Sequence, residues 1–523
     1  MSTDHTPRLG RTALALGLFA FLAVVFTLAD PGITIDEPLD VRPGRTYVST
    51  LLKQKAGFFQ RETIDRVFAD NAEHPPLGRW LLGVASTTFE PFAAAIGWTD
   101  PYAVIPARVA PAACFGLLIT LVTLATGRLR GQVGGIAAGG ALLFMPRAFA
   151  HAHLGALDTF IALFWVAALL AAERGSRSSK PTRAMAFAGL VLGLALLTKI
   201  HAWFLPPIVL GLLLVRFPWR HAVGAFGGWL VVGLGTFLLG WPWLWHDTLT
   251  RLGRYLGTGT ERLSLQVQYF GQFYADRDVP WHYPWVYFAI TVPVGLHLLG
   301  VLGAIEVVRG RRKSEGLPWL ALAGIGLFLG LFSTRIPVYD GERLFLLVFP
   351  LWAILIGIGG AWAWGRTSRR WAHGLMAAAF LAQGYGVVAL HPFGLSYYNA
   401  LVGGLPGAQR LGLELTYWGD AVDRVLLDRL AAEAKPGDLA ALAPTLHHIQ
   451  GVASLTPALV RNQVTIVDQS RAAQADWLIL YRRDAYLNPE WRALLNGPPP
   501  VGLVAERSKQ GVVLSRVLRI RKP

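Results

Sequence analysis

The sequence predicts a polytopic α-helical membrane protein of about eleven transmembrane helices, followed by a small soluble α/β domain. Three observations lead there. Hydrophobic residues make up 53% of the 523 and charged residues only 15%, where a soluble domain carries about 25% charged. Mean hydropathy is +0.43. Basic residues recur in clusters between long apolar runs, and after residue 404 the apolar runs shorten while Asp, Arg, Gln and Pro return.

The basic clusters set the topology. They are Arg8 and Arg11; Arg128 and Arg130; Arg174, Arg177, Lys180 and Arg183; Arg216 and Arg220; Arg309, Arg311, Arg312 and Lys313; and Arg366, Arg369 and Arg370. Short cytoplasmic loops are enriched in Lys and Arg, so all six are assigned to the cytoplasm. The net charge of +16 follows from these loops and implies no nucleic-acid partner. The expected spans are 12–29, 105–126, 132–150, 157–173, 184–200, 202–216, 222–241, 284–308, 317–333, 344–364 and 372–390. The first is long for the apolar core of a signal peptide and has no convincing cleavage site, so it is kept as a helix. Residues 77–97 are apolar but carry Glu90 and Pro91, and are read as lying in or dipping into the membrane interface rather than spanning. Cys114 falls within an apolar run as an ordinary core residue, and a single Cys builds no disulfide framework.

This scheme divides the chain into a membrane domain, 1–403, with a large first outer loop at 30–104, and an outer soluble domain, 404–523. In the second part "RVLLDRLAAEA" has helical spacing, and "DLAALAP", "QVTIVD" and "DWLILYRR" read as short buried strands. The localisation implied is the cell's inner (cytoplasmic) membrane, with the soluble domain on the periplasmic or extracellular side.

The same topology brings unusual polar residues to the outer face. Two adjacent carboxylates, Asp36 and Glu37, follow the first helix in "GITIDEPLDV". A charge at a helix centre in lipid costs about 3 kcal/mol, so such residues sit at an edge, in a pore or in a site. Pro38 should hold Glu37 extended and turn the two side chains apart. "NAEHPPLGRW" adds Glu73 and His74, "PRAFAHAHLGALDTF" adds His151, His153 and Asp158, "LTKIHAW" adds Lys199, and "STRIPVYDGERLF" adds Arg343. Singly each has a plainer reading. Asp158 could cap a helix, Lys199 could snorkel, and the histidines could be interfacial. Together they supply a base and cations for a phosphorylated, lipid-borne substrate.

These segments also resemble a known family. "DEP" after the first helix, "EHPPLGRWLLG", "ARVAPAACFG" and "HLGALDTF" stand in the order seen in protein O-mannosyltransferases. The wider type C glycosyltransferase fold includes the bacterial lipid A aminoarabinose transferases, which the Asp-Glu pair and Thr198-Lys199 also resemble. Here His74 stands where those transferases have Lys. The middle inserted domain of the eukaryotic mannosyltransferases is absent, and the final domain resembles neither group.

The resemblance implies an inverting glycosyltransferase that moves a sugar from a polyprenyl phosphate to a hydroxyl on the outer face. It implies Asp36 as general base, Glu37 in support, Asp158 as a second acidic site, and Arg108 and Lys199 at the donor phosphate. Arg343 is added to the phosphate set from its loop position. Glu73, His74, His151 and His153 are candidates for acceptor or metal binding. A divalent metal is left open, and no nucleotide motif is present. The partners implied are membrane lipids, the lipid-linked donor, and a glycan, lipid or protein acceptor. The alternative is a transporter or flippase for lipid-linked sugars, which should carry charge and broken helices at mid-membrane; most spans here are clean in their middles.

Overall fold

The computed structural model describes residues 5–69, 74–257, 264–310 and 316–520. Glu73 and the basic residues 311–313 lie outside them. Among the described residues five helices are long and apolar enough to cross a membrane: Arg8–Val25, Val104–Leu143, Asp158–Ser176, Trp219–Gly240 and Arg370–Leu390. Shorter apolar helices occupy Pro181–Leu196, Ile200–Arg216, Gly316–Leu331 and Val348–Trp364. The long segment Val104–Leu143 doubles back at Gly131, whose φ of 75° and ψ of −179° suit glycine. A Cβ on Gly135 would touch Gly127 and Thr123, and one on Gly139 would touch Thr123 and Ile119, so the halves pack antiparallel. With that reversal, each expected span has an apolar helical segment.

One span departs from a single rod. The expected helix 284–308 is two helices, Tyr283–Thr291 and Val294–Arg309, bent by 115°. Pro293 supplies the reason, because it offers no N–H and forces the residue before it out of the helix. Val292 is accordingly extended at φ −107°, ψ 139°. The apolar stretch expected at 132–150 also stops early, at Leu143, and restarts as the short helix Pro146–His151.

The first large loop is itself helical. Glu37–Gln54 and Leu77–Ala95 form a hairpin, and the second helix runs unbroken through Glu90 and Pro91. Glycines bring the two together: a Cβ on Gly83 would lie 2.1 Å from the Gly44 carbonyl oxygen. Glu37 opens its helix, which corrects the expected extended conformation; Pro38 falls in the first turn, where its missing N–H costs nothing.

The strands follow. β1 (Gln266–Tyr269) and β2 (Gln272–Ala275) form an antiparallel hairpin in a later connection. The C-terminal sheet contains β3 (Leu439–Ala443), β4 (Thr465–Asp468), β5 (Trp477–Tyr481), β6 (Leu503–Lys509) and β7 (Val512–Arg519). Its order is β4-β3-β5-β7-β6, parallel through the first three and antiparallel at the last two. Residues 404–421 do not belong to it. Leu405, Leu413, Leu415 and Ala421 pack into the membrane-domain core, and the separate core begins at Val422.

Candidate functional site

The connections between helices that alternate along the chain meet at one end of the bundle, and the polar residues gather there in two groups. The first is a closed knot. Arg108 donates from Nε to Glu37 Oε1 and from Nη2 to Glu37 Oε2, both at 2.7 Å. Its other N–H groups reach the carbonyl oxygens of Leu28, Pro31 and Gly32. A guanidinium has five N–H donors, and all five are engaged. Glu37 also accepts from the Gly155 N–H at 2.7 Å and from the N–H and hydroxyl of Thr34. Both side chains are fully buried. Arg108 therefore has no donor left for a phosphate, and Glu37 has no free edge for a substrate. The knot explains three motif pieces at once: the Glu of "DEP", the Arg of "ARVAPA" and the Gly of "HLGALD" fasten three chain segments together.

The second group is open. Arg343 pairs through Nη2 with Asp36. It reaches Asp340 Oδ2 from Nη1 at 3.0 Å and Asp158 Oδ2 from Nε at 3.4 Å. The guanidinium lies 4.3 Å from the Trp418 ring centroid, which fixes its plane. Lys199 donates to the other Asp158 oxygen at 2.7 Å. Asp158 begins the helix Asp158–Ser176, and its carboxylate faces these two cations. Asp36 is the most open carboxylate, with its side chain 24% exposed against 3% for Asp158 and 4% for Asp340. Asp36 and Glu37 thus face different groups, as the sequence suggested, though through a helix start rather than an extended residue.

The histidines divide. His74 is held well below its ordinary value by burial and by Arg79, Lys199 and Arg343, so it lies in the field of the open group as a neutral ring. The turn that carries it is tied down by the Leu77 N–H, which donates to Leu197 O just before Lys199. His151 contacts the Tyr417 hydroxyl at 3.0 Å and is pushed down to about 4, first by burial. His153 is engaged at both nitrogens, with Phe149 O and the Thr27 hydroxyl, and is pushed down to about 3 by burial. It has no lone pair free for a metal. Among the described residues no three His, Cys, Asp or Glu side chains come together as metal ligands.

Several residues at the site were not candidates from sequence. Trp418 and Tyr417 come from "YWGD" beyond the last apolar helix. The first loop pairs with that segment: Gly32 N–H donates to Asp420 O at 2.8 Å, and Ile35 N–H to Trp418 O at 3.3 Å. Arg147 and Glu342 form a buried pair beside Tyr417. The signal for Glu342 was visible in "YDGERLF", where three charges precede an apolar helix and need partners.

A family model for dolichyl-phosphate-mannose-protein mannosyltransferases matches residues 73–246. Among solved structures, ArnT from Cupriavidus metallidurans in the apo state aligns at a TM-score of 0.52 with 15% identity, covering 96% of this chain and 97% of that one. The same protein bound to undecaprenyl phosphate aligns at a TM-score of 0.51, again with 15% identity and the same coverage. The chain has the type C glycosyltransferase fold. No curated protein matches it in sequence. On this type C glycosyltransferase fold, the matched segment 73–246 carries His74, Arg108, His151, His153, Asp158 and Lys199, while Asp36 and Arg343 fall outside it.

Proposed function

We propose that the protein is an integral-membrane glycosyltransferase that passes a hexosyl or pentosyl group from a polyprenyl phosphate to a hydroxyl acceptor. The observation that carries this reading is the open group itself, in which one accessible carboxylate, Asp36, lies against a cation, Arg343, that shares Asp158 with Lys199. The matched mannosyltransferase model and the undecaprenyl phosphate held by a protein of the same fold support the donor class.

In this reading the acceptor oxygen attacks the anomeric carbon as the bond from that carbon to the phosphate oxygen breaks. The electron pair leaves with the phosphate, which changes from a diester to a monoester and gains charge. Arg343 has five donors and Lys199 three, and the N–H groups not facing carboxylates are available to that oxygen. Fixed cations of this kind stabilise charge that grows in the transition state. Asp36 takes the acceptor proton. A single displacement inverts the anomeric carbon. Asp158 holds the two cations apart and in place. Glu37 and Arg108 act as a structural clamp beneath Asp36 and touch neither substrate. His74 is proposed at the acceptor side, and no step is assigned to a metal.

The site would lie on the periplasmic or extracellular face, opposite the basic clusters. The test of function is the mass of an extracted acceptor pool after incubation with polyprenyl phosphate sugars. A gain of one glycosyl mass in membranes carrying the protein, lost in the Asp36→Asn variant, is the expected result.

A further inference from the structure

We propose that Arg483, in the C-terminal sheet domain, is a positioning residue for the transferase site: through Asp340 it sets where Arg343 stands. The inference rests on the function proposed above. Arg483 follows β5, and its side chain is buried. Its Nη2 lies 2.7 Å from Asp340 Oδ1. The other oxygen of Asp340 accepts from Arg343 Nη1 at 3.0 Å. One carboxylate therefore stands between an arginine of the soluble domain and the arginine that meets Asp36 and Asp158. Asp340 holds a left-handed backbone, φ 58°, next to Gly341 at φ 62°, in the turn that delivers both Asp340 and Arg343. Asp is among the few side chains that tolerate this region.

The far side of Arg483 is also built. Glu414 faces it, with Glu414 oxygens accepting from the N–H groups of Gln268 and Ala485, both at 3.3 Å. The Arg483 guanidinium sits 5.4 Å from the Tyr486 ring centroid. Charges alternate from Arg483 through Asp340 and Arg343 to Asp36. Taking away one member of a buried pair leaves its partner's charge uncompensated. Without Arg483, the whole attraction of Asp340 falls on Arg343 and draws it away from Asp36 and from an incoming phosphate. A contact that only glued the domains together would not share its carboxylate with the site.

The measurement is the Kd of the full-length, detergent-solubilised protein for undecaprenyl phosphate. Arg483→Ala, folded by its melting curve, should weaken binding about tenfold. Adding Asp340→Asn should recover most of that loss, because the stray charge is gone. Wild-type affinity in folded Arg483→Ala overturns the inference, and so does a double variant as weak as the single one. If Arg483→Ala fails to fold, Asp340→Asn is compared with the double variant. Equal Kd values support the inference, since Arg483 acts only through Asp340, and a tenfold difference overturns it. Arg343→Ala separates the two levels. Wild-type binding by that variant overturns the phosphate site itself. Lost binding there with silent Arg483 variants overturns only this inference.

Discussion

Asp36 and Glu37 are neighbours in sequence with separate tasks, and the separation comes from what each one meets. Glu37 accepts from a guanidinium, two backbone N–H groups and a hydroxyl in a fully buried knot. Truncating one side of a buried ion pair costs about 3–5 kcal/mol because the other charge is left bare. Arg108→Ala should therefore lower the melting temperature and the yield of folded protein sharply, and so should Glu37→Gln, whose amide NH2 would replace an acceptor and face N–H donors while Arg108 loses its counter-charge. Thermal unfolding in detergent checks both. A stable Arg108→Ala variant that has lost only phosphate affinity would return Arg108 to the substrate site. The resemblance grouped Arg108 with Lys199 at the donor phosphate, and only the geometry shows that five acceptors already surround Arg108.

At the scale of elements, the hairpin Glu37–Gln54 and Leu77–Ala95 positions Asp36, and its seam is glycine against backbone. A side chain on Gly83 would collide with the Gly44 carbonyl at 2.1 Å. Gly83→Leu should separate the helices and lower activity together with protease resistance of the first loop; limited proteolysis of membranes reads the latter. The apolar runs and basic clusters made the bundle legible in sequence, because lipid demands long apolar helices and the positive-inside rule marks their ends. The hairpin was less legible, since its helices are amphipathic and "FEPF" looks like a break. Likewise β6 and β7 hid in "LVAERSKQGVVLSRVLR", where charges alternate with apolar residues around a turn at Gln510 and Gly511, both at positive φ. The bend at Pro293 was marked by the proline but hidden within an otherwise continuous apolar run. In the site, Asp36, Asp158, Lys199 and Arg343 could be grouped from loop position alone. Trp418 and Arg483 could not, because their roles depend on how the last domain folds back.

For the whole molecule, the expected topology has the basic loops on one side and the site with the sheet domain on the other. Reporter fusions after residues 176 and 430 should report opposite sides of the membrane, and the same side for both would contradict that placement. The junction between the domains also carries a pH signature. Burial raises Glu414 to about 7 and Asp420 to about 6. Both folded values exceed the ordinary carboxyl range, so the fold favours their protonated forms. That contribution is full below the unfolded values and is lost as pH rises through the folded ones. Glu414→Gln should therefore gain melting temperature relative to the wild type between about pH 5 and pH 8; a constant difference across that range would contradict the assignment. The central claim is that Asp36 takes the acceptor proton while the neighbouring cations Arg343 and Lys199 hold the donor. The most direct measurement is glycosyl transfer by Asp36→Asn, alongside its Kd for undecaprenyl phosphate and its melting curve. The account predicts a folded protein that binds the lipid phosphate and transfers about 10²–10⁴ times more slowly. Transfer at the wild-type rate would contradict it.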